Sequence, residues 1–126
     1  TELDARPWLL AVANGTVDLR TGALMPAQRE DYITKVSGVV FDATAECPAF
    51  MTFLREITGG NQDLVDYLQR AVGYMLTGQT TEHCLFYLYG TGANGKSTFL
   101  NVCKGLLGSE LCRQTAVETI MVRGAK

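Results

Sequence analysis

The stretch from Cys84 to Leu107, CLFYLYGTGANGKSTFLNVCKGLL, narrows the possible folds of this chain more than any other. Residues 84 to 89 are all apolar or aromatic, as in a parallel strand buried on both faces. A glycine-rich loop follows. Beyond it, Phe99, Val102, Cys103, Leu106 and Leu107 fall at helical spacing, and Gly108 supplies a stop. The spacing predicts a strand, a phosphate-binding loop and a helix, the opening of an α/β P-loop core.

The loop Gly90-Thr91-Gly92-Ala93-Asn94-Gly95-Lys96-Ser97 fits G-x-x-x-x-G-K-[ST], and Thr98 continues it. Gly90, Gly92 and Gly95 can take φ angles closed to other residues, so the backbone can turn its N–H groups inward around an anion. The loop feeds a helix N-terminus, where unpaired N–H groups and the macrodipole favour phosphate. Lys96 is expected to reach the β- and γ-phosphates of ATP as a point charge. The Ser97 hydroxyl is expected to ligate Mg²⁺. A glycine-rich surface turn would not explain why a lysine and a hydroxyl follow the last glycine.

The rest of the 126 residues bounds the chemistry. An apolar content of 47% with 19% charged residues is that of an ordinary globular domain. Eleven basic and thirteen acidic residues give a formal charge of −2, so composition provides no basic footprint for nucleic acid. Any DNA contact must be local or lie elsewhere. Cys47, Cys84, Cys103 and Cys112 form no C-x-x-C pair, and the single histidine, His83, adjoins Cys84 rather than standing at ligand spacing. Free thiols in a reducing cytoplasm are expected, with no zinc site. No run has the length of a membrane span, and no basic-then-apolar leader precedes the fold.

Three segments follow one another. In residues 1–46, Leu9 to Val12, Thr16 to Leu19 and Ala23 to Met25 are short strand candidates separated by Asn14-Gly15 and Thr21-Gly22. With the Val/Ile/Thr-rich run Tyr32 to Phe41, they read as a small antiparallel meander whose solvated face carries Asp18 and Arg20. Residues 47–83 read as a helical hairpin. Pro48 opens a helix with Phe50, Phe53, Leu54 and Ile57 on one stripe before Gly59-Gly60. Asn61 caps a second helix, which carries Leu64, Leu68, Ala71, Val72 and Met75 on one face as far as Gly78. Tyr67 and Tyr74 on that helix read as core or interface residues rather than base-stacking platforms, and His83 as a loop or strand-edge residue. Residues 84–126 hold the P-loop unit, then a weak apolar run, Thr119 to Val122, and a basic ending at Arg123 and Lys126, expected as loop plus a short helix or strand.

Four stretches together resemble the phage and plasmid primase-helicases, whose helicase part belongs to superfamily 3 of the AAA+ ATPases. Asn14 to Gly22, NGTVDLRTG, resembles the NG-x-x-DL-x-TG hairpin ahead of the helicase core in that family. Cys47-Pro48-Ala49-Phe50 with Phe53-Leu54 resembles its CP-x-F-x-x-FL helix start, and Leu68 to Gly78, LQRAVGYMLTG, its LQ-x-x-x-GY-x-LTG helix. Gly90 to Thr98 has the Asn-Gly-Lys-Ser core of its phosphate loop. The resemblance implies ATP-driven DNA unwinding by a ring, usually a hexamer, in the replication of a phage, plasmid or integrated element. It carries the nucleotide role to Lys96 and the Mg²⁺ role to Ser97.

That family also needs a second acidic motif at the end of another apolar strand, and an arginine finger from a neighbouring subunit. Neither is found in the sequence. Glu110 and Glu118 follow no buried-strand run, and Thr119 to Val122 ends in Arg123. The expected object is therefore a piece: an α+β accessory segment joined to the first strand, loop and helix of an ATPase core, inactive by itself. Two other readings stand beside it. One is a small-molecule kinase, although such enzymes usually begin with their phosphate loop and here 83 residues precede Cys84. The other is a non-catalytic interaction module of a replication protein.

Overall fold

The computed structural model describes residues 2–119 and contains a three-stranded antiparallel sheet and three helices. The sheet is formed by β1 (Leu9–Val12), β2 (Gly15–Asp18) and β3 (Ala23–Met25), in the order β1-β2-β3. Val12 pairs with Gly15 across a two-residue turn, Ala13-Asn14, and Thr16 with Met25. Gly15 is required at its position. Its φ is +152°, and a Cβ there would stand 2.4 Å from the Met25 carbonyl oxygen.

Residues 32–41 do not join the sheet as a strand. Only one parallel bridge forms, Ala11 with Val36, supported by hydrogen bonds from Ser37 N–H to the Ala11 carbonyl and from Ala13 N–H to the Val39 carbonyl. Tyr32 enters in the left-handed region at φ 52°, and further on the Asn14 carboxamide substitutes for a backbone partner. It donates to the Phe41 carbonyl and accepts from the Phe41 N–H, both at 2.9 Å. High strand propensity therefore yields a tethered extended segment, because a side chain supplies part of the pairing. Arg6 anchors the same region from the other side, donating to the buried Asp31 carboxylate at 2.6 Å.

The helices α1 (Pro48–Ile57) and α2 (Gln62–Leu76) form where the stop signals place them. Asn61 caps α2, its side chain accepting the Leu64 N–H at 3.1 Å. The buried stripe of α2 is rotated slightly from the expected one. Val65 is buried, whereas Leu64 is exposed. Helix α3 (Lys96–Leu111) is interrupted at Gly108, where φ 74° and ψ 175° break the helix before one further turn. Leu54, Val65, Phe99 and Cys103 meet in one core, flanked by Phe50, Phe53, Ile57, Leu68, Val72 and Leu88. A second core, under the sheet, joins Leu10, Val12 and Val17 to Val39, Phe41 and Leu76. Ser37, fully buried, ties the two regions by donating from Oγ to the Leu106 carbonyl.

The expected strand over 84–89 is absent. No backbone hydrogen bond reaches these residues among those described. Exposure nevertheless alternates along them: Leu85, Tyr87 and Tyr89 are exposed, Phe86 and Leu88 half-buried. The physical reason is that a strand is defined by its neighbours, and no other described segment lies alongside to complete a ladder. Leu88 still packs against the helical core. Beyond α3, Val117–Thr119 makes one 3₁₀ turn. Of the tail features, Ile120 to Val122, Arg123 and Lys126 lie outside the described residues.

Candidate functional site

Gly90 to Thr98 forms one continuous turn into the first turn of α3. Its path depends on three left-handed residues. Gly90 has φ 150° and Gly95, the N-cap of α3, φ 83°. The third is Ala93 at φ 58°, not Gly92, which has no positive φ. A residue with a Cβ in this region is strained, and loops that cradle ligands commonly contain one.

The Lys96 side chain folds back over the loop that precedes it. Its Nζ donates to the Gly90 carbonyl at 3.1 Å, the Thr91 carbonyl at 3.3 Å and Asn94 Oδ1 at 2.5 Å. Ser97 and Thr98 are exposed on the first turn of α3. The N–H groups of that turn have no intrahelical acceptor; the first capping bond runs from the Phe99 N–H to the Gly95 carbonyl at 2.9 Å. An ammonium, two hydroxyls and a set of helix-start N–H groups thus lie within a few residues. That donor set suits a multiply charged phosphate chain, and a hydroxyl beside it suits the cation such a chain carries.

Two features of the site could not be read from the chain order. The first is that α1 forms the floor of the loop: a Cβ on Gly95 would stand 2.4 Å from Ile57 Cγ2 and 3.1 Å from the Phe53 ring. The second is the carboxamide of Asn94, which occupies the space above Gly90. A Cβ on Gly90 would stand 2.1 Å from Asn94 Nδ2. A glycine 38 residues beyond the end of α1 gives no sequence signal of that contact. The Asn-Gly-Lys order does at least bring the carboxamide and ammonium within reach.

Beside the loop lies a concave space of about 550 Å³, bounded by residues 85–89, by Ile57, Leu64 and Tyr67, and by Asn94 and Lys96 at its rim. A separate cleft of about 470 Å³ is lined by Arg6, Trp8, Asp18 and Arg20 at the end of the sheet. There Asp18 accepts from the Arg20 N–H at 2.9 Å and Arg6 is committed to Asp31, so both arginines already face carboxylates. The expected free thiols are Cys47 and Cys84, exposed, Cys112, half-buried, and Cys103, buried. Among the described residues no cluster of His, Cys, Asp and Glu could hold a metal, and no helix is long and apolar enough to cross a membrane. His83 lies in the loop before residue 84, at φ 45°. Tyr67 is exposed; the Tyr74 hydroxyl accepts the Glu82 N–H.

Residues 1–59 match the protein-family model described as D5 N terminal like. That model describes the N-terminal region of phage and plasmid primase-helicases, so the stretch carrying the sheet and all of α1 is similar to a segment of replication proteins. The chain is also similar to "Uncharacterized mitochondrial protein ymf21" of Marchantia polymorpha, with 33% identity over 63 residues. That match takes in 50% of this chain, which spans 35% of the relative's length.

Proposed function

We propose that this chain is part of an ATP-dependent DNA helicase of the primase-helicase kind, and that it supplies the loop binding the nucleotide's phosphates. The observation that carries the reading is the position of Lys96 Nζ, held within hydrogen-bonding distance of the Gly90 and Thr91 carbonyls at the start of α3. A cation anchored there, beside unpaired helix N–H groups, adds charge neutralisation to the backbone donors that would meet a phosphate chain. Gly90, Thr91, Gly92, Ala93, Asn94 and Gly95 would contribute backbone around the phosphates. Ser97 would ligate the Mg²⁺ that accompanies ATP, with Thr98 next to it. Bound ATP would supply the energy of phosphoryl transfer; this chain's own contribution is binding and charge neutralisation.

The similarity of residues 1–59 to the N-terminal region of the primase-helicases supports a replication ATPase over a small-molecule kinase. In this reading the complete protein works on DNA as a ring, with further residues of the ATP site coming from a neighbouring subunit. The test is equilibrium binding of ATP with Mg²⁺ to the protein and to its Lys96→Ala variant, repeated with the other nucleoside triphosphates. Binding that tolerates different bases and is lost in the variant is expected. Equal affinity in the variant would overturn the assignment, and transfer of the γ-phosphate to a small-molecule acceptor would favour the kinase.

A further inference from the structure

The Asn94 side chain is held from two sides. Its Oδ1 accepts from Lys96 Nζ at 2.5 Å, and its Nδ2 lies where a Cβ of residue 90 would be. The space that a glycine at position 90 leaves open is therefore filled by the protein's own carboxamide. Of the three acceptors around Lys96, two are main-chain carbonyls whose positions are set by the loop backbone. Only the third can leave by rotating a side chain, with no change of φ or ψ. Asn94 is also only half-buried, so its side chain is not locked within the core.

From this geometry we propose that Asn94 is a latch on the phosphate loop. It holds Lys96 across the loop and gives way when a phosphate chain takes over the ammonium. This inference rests on the phosphate-binding reading of the loop and adds to it a residue that competes with the ligand. A group that stabilises only the unliganded state weakens apparent affinity by the free energy of its contact, so removing it tightens binding. The contact is charge-assisted, a class worth roughly a tenfold change in an equilibrium.

The experiment compares the 126-residue protein with its Asn94→Ala and Asn94→Asp variants in two ways. The first measures acylation of Lys96 by an amine-reactive reagent without any phosphate present, resolved by mass spectrometry, with Lys35 and Lys104 as internal references. Asn94→Ala is expected to raise Lys96 labelling severalfold relative to the references. Asn94→Asp, which keeps the acceptor and adds charge, is expected to lower it. Unchanged labelling in both variants would overturn the latch. The second measures the affinity of inorganic tripolyphosphate with Mg²⁺. Asn94→Ala should bind more tightly, by up to about tenfold, and Asn94→Asp more weakly. Weaker binding by Asn94→Ala would also overturn the proposal, because Asn94 would then be a ligand and not a competitor. If neither the parent nor the variants bind tripolyphosphate, the phosphate-loop reading itself fails, and the labelling still decides whether Asn94 restrains Lys96.

Discussion

Gly95 and Ile57 approach so closely that one added carbon on the glycine would lie 2.4 Å from Ile57 Cγ2. This contact seats the candidate loop, residues 90–98, on α1, a helix that ends 38 residues earlier in the chain. Gly95 is doubly constrained, since its φ of 83° is also left-handed. Gly95→Ala should therefore cost about 1–3 kcal/mol, from backbone strain plus overpacking. Denaturant unfolding would measure it, and Ile57→Ala in the same chain should recover part of the overpacking loss. An unchanged midpoint in Gly95→Ala would mean that the loop does not rest on α1.

The unpaired run at residues 85–89 should exchange its amide hydrogens quickly. No described backbone acceptor reaches those N–H groups, whereas the amides within α1 and α2 are bonded inside helices that share a core. Hydrogen exchange followed by mass spectrometry or NMR should separate the two regions by orders of magnitude. Protection at Phe86 to Tyr89 equal to that in α2 would contradict the structure.

Asp4 reports on the N-terminal tether. The Thr34 hydroxyl, and secondarily the Thr34 backbone N–H, donate to the Asp4 carboxylate and hold it below the usual carboxylate range. Because the folded value is depressed, this contact favours the native state at pH above the unfolded value of about 3.9. The contribution is lost as pH falls through the folded value. Carboxyl-carbon NMR should show Asp4 titrating below an ordinary aspartate. Thr34→Ala should move it back up, and an unmoved titration in that variant would refute the assignment of cause.

Cysteine alkylation should proceed in a fixed order. Cys47 and Cys84 are exposed, whereas Cys103 is buried and its burial pushes the thiol pKa up. At mildly alkaline pH, iodoacetamide should label the exposed pair first and Cys103 last, with the difference erased in denaturant. Early labelling of Cys103 would show that the helical core opens readily.

What the sequence made legible depended on how local each cause was. The β1–β2 hairpin and the cap at Asn61 are decided by neighbours a few residues apart, and their positions are readable to within a residue. Residues 32–41 and 84–89 have strand composition, but a ladder needs a partner. In the first case the Asn14 side chain supplies part of the pairing, and in the second no described segment supplies any. On α2, burial chose Val65 over Leu64 because α1 and α3 press on it from one angle. The candidate loop was legible as a unit because its residues are contiguous. The support from Ile57 and the hold of Asn94 on Lys96 were not, since both are set by three-dimensional approach.

The buried hydroxyl of Ser37 spans 69 residues to reach the Leu106 carbonyl, whereas the strand pairs of the sheet join residues three to nine positions apart. Bringing distant segments together costs more chain entropy than closing a hairpin, so the order of assembly is built into this separation. The hairpin and the α1–α2 pair are expected to form early, and the clasp between Ser37 and α3 to close after the folding barrier. Ser37→Ala should consequently accelerate unfolding and leave the refolding rate nearly unchanged. Stopped-flow kinetics in denaturant would show whether Ser37 acts after the transition state, and a refolding rate that falls in step with stability would place it in the folding nucleus instead.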